Sequence, residues 1–169
     1  MPEHGEPIVV ELGPGTGSVT GAIGARLAGR GRQLALEAKP EMLAFLHTRY
    51  PDVLAHHADA GEIGSILAAH ELGSAHAIIS GLPWSLFTIE TQLRLLSRIS
   101  GALRPDGVFT TFAYVHGLGL PSARRFRRAL DDHFGEVKST RPVWANLPPA
   151  ITYVCRDPRP GTAPPDGPY

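Results

Sequence analysis

The sequence is short of several things that would have fixed its role at once. Its 169 residues hold one cysteine, Cys155, so no disulfide can form within the chain and a reducing compartment, the cytoplasm, is the expected location. Cys155 falls in an apolar run and reads as a small core residue. No apolar stretch approaches the roughly 20 residues that span a bilayer, and the N-terminal MPEHGEP has no signal-peptide pattern. Neither sign of charge prevails: Lys and Arg total 16, as do Asp and Glu. No global field therefore draws a polyanion to the surface, and nucleic acid would need a local basic face. The histidines follow no metal-ligand spacing. His56 and His57 point to opposite faces of a strand, so no metal is expected.

What is present is a regular alternation of short apolar strands and amphipathic helices. Strands are predicted at 7–12 (PIVVEL), 33–37 (QLALE), 52–59 (DVLAHHAD), 76–80 (HAIIS) and 107–115 (GVFTTFAYV). Helices are predicted at 18–31 with Ser18 as cap, from Pro40 to 50, at 61–72, at 88–103 and at 122–134. The stripe Ile89, Leu93, Leu96, Ile99 and Leu103 marks the core side of the fourth helix. In the fifth, Ala123, Phe126 and Leu130 face inward, while Arg124, Arg125, Arg127 and Arg128 form a basic face that Asp131 and Asp132 partly neutralise. EVKSTR and AITYVCR read as two closing strands around PVWANLPP. Five right-handed βα crossovers imply an α/β fold. The expected form is a Rossmann-like, doubly wound, seven-stranded and mostly parallel sheet with a C-terminal antiparallel strand. One domain is expected over residues 1–156. The tail 157–169, DPRPGTAPPDGPY, is expected to be disordered because it cannot bury enough surface to order itself.

Ligands of such sheets bind beyond the carboxyl ends of the strands, where strand order reverses. There the sequence places VELGPGTGSVT (10–20), with Gly13, Gly15 and Gly17 at alternate positions. The spacing differs from the GxGxxG pyrophosphate turn, and no lysine follows as a P-loop requires. A tight turn using glycine for positive φ would explain the glycines alone. Acids at the ends of the first three strands add to them. Glu37 stands where a carboxylate accepts from two ribose hydroxyls. Asp59 stands where an adenine amino group can be met, and Glu11 can order the turn or meet a ligand ammonium through water.

VELGPGTGSVT, LALEAKPEML, HADAGEI and ISGLPWSLF, in that order, resemble motifs I to IV of class I S-adenosylmethionine-dependent methyltransferases. The resemblance runs from residue 8 to about 155, and S-adenosyl-L-methionine is the cofactor it implies. Carried across, Glu11, Gly13, Pro14, Gly15, Thr16 and Gly17 line the cofactor. Glu37 and Ala38 take the ribose, and Asp59 and Ala60 the adenine. Ser80, Gly81 and Leu82 complete the site where the transferable methyl points.

SGLPW (80–84) resembles the NLPY-type motif of ribosomal RNA adenine dimethyltransferases, with Ser80 replacing the amide side chain and Trp84 the smaller aromatic. With WANLPPA at 144–150, it is more similar to bacterial phospholipid N-methyltransferases, which methylate phosphatidylethanolamine. The resemblance implies an amine acceptor on a lipid and peripheral contact with a membrane. Acceptor-side residues are then Pro83, Trp84, Phe87, Arg141, Trp144 and Asn146. Trp84, Phe87, Tyr114 and Trp144 can form an aromatic cluster holding a methylated ammonium, at about 0.5–2 kcal/mol per contact. Tyr114 or His116, in FAYVHGLG, can receive or relay the proton of the amine. A soluble amine, an RNA base, and a module that binds cofactor without turnover remain alternatives. Only the first few residues precede the first strand, where phospholipid N-methyltransferases carry a longer segment. A cofactor pocket that is open, or roofed by a second copy or another protein, is therefore expected.

Overall fold

A computed structural model describes residues 6–145 and 148–161. Asn146, one of the acceptor-side expectations, lies outside the described residues, as does most of the expected tail. The first part of the chain alternates β1 (Ile8–Leu12), α1 (Thr20–Leu27), β2 (Arg32–Glu37), α2 (Pro40–Arg49), β3 (Leu54–His57) and α3 (Ile63–Ala69). There follow β4 (Ala75–Ser80), α4 (Ile89–Ala102), β5 (Leu103–Tyr114), α5 (Pro121–His133), β6 (Phe134–Ser139) and β7 (Ala150–Pro158). Seven strands form one sheet in the order β3-β2-β1-β4-β5-β7-β6. β7 runs antiparallel between β5 and β6 and the remaining pairs are parallel. β6 therefore points the same way as β1–β5, and the chain after Ser139 leaves at the edge where the first five strands end.

Alternation along the strands sorts the faces. Val10, Leu12, Leu34, Leu36, Ile78, Phe109, Ile151 and Cys155 are buried in one cluster with Ile63, Leu67, Leu95, Leu96, Ile99, Phe126 and Leu130 of α3–α5. Burial pushes the Cys155 thiol up to about 12, so it stays protonated and packs as an apolar residue. The opposite strand face is thinner. Val9, Ala77, Ile79, Val108, Thr110 and Thr152 are half-buried there, and Phe112 is exposed. Phe109 is fully buried, its ring stacked 5.6 Å from Phe134 and 6.3 Å edge-on from Trp84. Phe109→Ala should lower unfolding free energy by about 3–5 kcal/mol in denaturant titrations, because Phe134, held in β6, and Trp84, stacked on Phe126, cannot close the void.

Several local expectations change. Ser18 does not cap α1: Val19 holds that position with no side-chain hydrogen bond. Ile89 and Leu93 are exposed at the start of α4, and Leu95 faces the core instead. Residues 60–62 form a 3-10 turn capped by Asp59, and α3 starts only at Ile63. β7 continues to Pro158, two residues past the expected boundary, because Glu136 pairs with Arg156 and Phe134 with Pro158 in the ladder. The basic face of α5 is partly used internally. Arg127 pairs with Asp131, donates to Val137 O at 3.1 Å and lies over the Tyr153 ring.

Two histidines tie the sheet together in their neutral form. His56 Nε2 lies 2.8 Å from His70 Nε2, joining β3 to the end of α3, and His76 Nδ1 accepts from Ile8 N at 3.0 Å. Burial, then His70 and His47, lowers the His56 pKa below its ordinary 6.5; burial, then Arg104, lowers that of His76. The unfolded chain therefore binds these protons first, and stability is lost as pH falls from the ordinary value through the lowered ones. Melting temperature should drop between pH 7 and pH 5, and His56→Asn with His76→Asn should flatten that slope in thermal melts.

Candidate active site

The site begins where β1 and β4 leave the sheet side by side, the point at which strand order reverses. Gly81 N donates to Leu12 O at 2.8 Å and Gly13 N to Leu36 O at 2.9 Å, so the exits of β1, β2 and β4 are joined by backbone. That closeness requires glycine. A Cβ on Gly81 would sit 2.6 Å from Gly13 O, and one on Gly13 would sit 2.9 Å from Leu82 Cδ2. Gly13, Gly15 and Gly17 all have positive φ, at 66°, 56° and 78°. Tyr50 fills the space beside Gly17 and donates its hydroxyl to Gly17 O at 3.0 Å. Gly15 differs: a Cβ there meets nothing within 4 Å. Its open side faces a cavity of about 720 Å3 lined by Glu11, Gly13–Thr16, Ser80, Gly81, Thr111, Phe112 and Tyr114, among others.

Two carboxylates frame the turn differently. Glu11 is 2 % exposed and accepts from Thr20 Oγ1 at 2.7 Å. Burial pushes its carboxyl above the ordinary 4.5, and the Thr20 hydroxyl draws it partly back. Glu37, also buried, accepts from Gly15 N at 2.9 Å through Oε2 and from Lys39 N at 3.0 Å through Oε1. A carboxylate offers about four lone-pair sites. The two backbone donors fix the orientation of Glu37 and leave two sites over, one on each oxygen.

The predicted residues divide into groups. Glu11, Gly13, Pro14, Gly15, Thr16, Ser80 and Gly81 meet in the first cavity, together with Tyr114. Gly17, Glu37, Ala38 and Ala60 stand outside its lining: Ala60 is packed in the core, and Ala38 O lies 3.0 Å from His57 Nε2. Asp59 is engaged elsewhere, capping the 3-10 turn through Gly61 N at 2.9 Å and pairing with Arg94 at 3.2 Å. Leu82, Pro83, Trp84 and His116 line a second cavity of about 430 Å3, which shares Gly81, Phe112 and Tyr114 with the first. The expected aromatic cluster is divided. Trp84 is 4 % exposed, stacked 4.7 Å from Phe126, with Phe87 edge-on at 5.9 Å. Its Nε1 donates to Ser80 Oγ at 3.1 Å, so it forms the floor of the second cavity. Trp144, by contrast, is 72 % exposed. Arg141 is exposed, and neither residue lines the two cavities. Tyr114 and His116 stack at 5.7 Å.

Sequence reasoning passed over Thr111. It pairs in the ladder with Ser80, is 2 % exposed, and its Oγ1 has no hydrogen-bond partner among the described residues. A buried hydroxyl without a partner is uncommon in a folded protein, and this one lies among the residues lining the first cavity. Only the register of β4 against β5 brings the two side by side, and no local signal carries that register.

Comparison with known proteins agrees with this geometry. Residues 9–107 match the family model of the methyltransferase domain. The chain is 32% identical over 164 residues to the ornithine lipid N-methyltransferase of Singulisphaera acidiphila, covering 92% of this chain and 79% of that protein. Among solved structures, human methyltransferase-like protein 13 in complex with SAH superposes with a TM-score of 0.69 at 18% identity, covering 95% of this chain and 76% of that one. Fibrillarin of Aeropyrum pernix with natively bound S-adenosyl-L-methionine gives 0.67 at 18% identity, covering 89% and 66%. With its glycine turn at the switch point of a seven-stranded sheet, the chain belongs to the class I S-adenosylmethionine-dependent methyltransferases.

Proposed function

We propose that the protein methylates the amine of a lipid head group, with S-adenosylmethionine bound along the glycine turn and the amine at Tyr114. The observation that carries this reading is the junction itself. Tyr114 and Phe112 border both cavities, so a group held against these rings reaches the cofactor side and the acceptor side together. The resident groups suit the cofactor. Gly15 leaves open space where any side chain would intrude, Glu37 keeps two lone-pair sites for a diol, and Ala38 follows it in the loop. The Asp59–Ala60 turn stands ready for the adenine if the Asp59–Arg94 pair yields. The 32% identity to a lipid N-methyltransferase supports a lipid amine over an RNA base.

When bound, S-adenosylmethionine supplies a methyl group activated by its sulfonium. Transfer to the amine would exchange an S–CH3 bond for an N–CH3 bond and return the cofactor as a neutral thioether. The chain's own task is placement and proton removal, since the sulfonium loses charge as the nitrogen gains it. The amine must arrive neutral. The exposed Tyr114 Oη relays the proton to water, or the imidazole of His116, stacked beside it, receives it, while the faces of Phe112 and Tyr114 favour the cationic product. Ser80 Oγ, accepting from Trp84 Nε1 and from Leu82 N at 3.3 Å, fixes the SGLPW loop under the junction.

We place peripheral membrane contact at this same edge, where Leu86, Leu120 and Trp144 are exposed. Arg141 and the outward Arg124, Arg125 and Arg128 then face anionic head groups. A second copy of the chain over the thin sheet face would roof the first cavity. Transfer of labelled methyl from S-adenosylmethionine, assayed across aminolipid vesicles, soluble amines and RNA, tests the acceptor. Label should enter aminolipid. Label confined to RNA, or entering no pool while cofactor still binds, would overturn the reading.

A further inference from the structure

We infer that the second cavity is a slot for a single alkyl chain of the methyl acceptor, so that the acceptor is an amphiphile held by its tail as well as its amine. The inference rests on the amine reading for what stands at the junction. The cavity's own composition carries the rest. Leu82, Trp84, Leu118, Ala123 and Phe126 form its walls, Ser85, Ser122, Tyr114 and His116 are its polar members, and among the described residues no Asp, Glu, Lys or Arg borders it. A phosphate or a carboxylate would lose its water there with no Lys or Arg to pair with, which is costly. An alkyl chain loses nothing by entering. Leu86, 80 % exposed, and Leu120, 53 % exposed, flank the opening, so the apolar surface continues outward as it must for a chain entering from a bilayer or micelle.

The size agrees. At roughly 30 Å3 for a group the size of a water molecule, a cavity of about 430 Å3 holds on the order of ten methylenes with its mouth left open. Among the described residues the cavity meets the cofactor side at Gly81, Phe112 and Tyr114, so a chain lying in it directs its head at the proposed place of methyl transfer. The SGLPW loop thereby serves two purposes. Its Ser80 end belongs to the cofactor side, and Trp84, stacked on Phe126 of α5, makes the wall against which the chain lies.

Brominated chains test this, because bromine quenches tryptophan fluorescence on contact. The chain has two tryptophans, and Trp144→Phe leaves Trp84 as the sole reporter. Titration with ω-bromoalkylamines of four to twelve carbons should quench Trp84 saturably. Each methylene removed from water strengthens binding by a factor of about three to four, so affinity should rise at least about a hundredfold across the series. Ala123→Leu, which fills the cavity from α5, should weaken binding of the dodecyl compound at least about tenfold, with calorimetry showing that S-adenosylmethionine still binds. Should that variant fail to fold, the chain-length series on the unfilled cavity decides alone. Equal quenching by butyl and dodecyl compounds, or dodecyl binding untouched by Ala123→Leu, would overturn the inference. Saturable, length-dependent quenching without methyl transfer to any amine would uphold the slot and overturn the amine reading.

Discussion

Gly81→Val should abolish cofactor binding, with at least about a hundredfold loss of affinity in calorimetry and a melting temperature several degrees lower. Even a Cβ at residue 81 stands 2.6 Å from Gly13 O and 3.6 Å from Leu12 O. Both atoms are backbone, so no side chain can rotate away. The exits of β1 and β4 must part, which breaks the Gly81 N to Leu12 O bond and moves the two loops that form the floor of the first cavity. Gly15→Ala supplies the contrast. It meets no atom within 4 Å, though its φ of +56° disfavours a side chain, so the fold should survive while the methyl group projects into the cavity.

Glu37→Ala should weaken S-adenosylmethionine by roughly 10- to 100-fold, the range expected for losing charge-assisted hydrogen bonds of about 1.5–3 kcal/mol. The carboxylate has two tasks. It accepts from the amides of Gly15 and Lys39, holding the glycine turn against the end of β2, and its two remaining lone-pair sites are the proposed seat of the ribose diol. Glu37→Gln separates the tasks. An amide keeps one oxygen for Gly15 N but presents a donor where Lys39 N needs an acceptor, so the turn should be partly retained and the diol less well held. Calorimetry should rank affinity as native, then Gln, then Ala.

The fold was largely legible because its signals are local. β-branched runs, glycine at strand exits and proline opening α2 mark their elements without help from distant residues, and the βα alternation then dictates a parallel sheet. The glycine turn was legible for the same reason, and its cause became plain only with the Gly81–Gly13 contact. The parts that were not legible depend on partners far along the chain. Trp84 follows a strand in a proline-containing loop and reads as a ligand-facing aromatic. It is almost fully buried while it lines the second cavity, because Phe126, on a helix three elements later, stacks on it. Asp59 reads as a free acid at a strand end, yet Arg94 of α4 pairs with it. Thr111 is one of two identical threonines in a strand, and only pairing with Ser80 distinguishes it. Ser18 fails as a cap because the helix starts one residue later, with Ile23 N bonded to Val19 O at 3.0 Å.

A crystal structure with S-adenosylhomocysteine bound tests the arrangement most directly. The nucleoside should lie over the ends of β1 and β4 against Gly15, its sugar hydroxyls on both oxygens of Glu37 and its sulfur turned toward Tyr114. Density for that compound anywhere else on the sheet, or a sugar that leaves the Glu37 oxygens untouched, would contradict it.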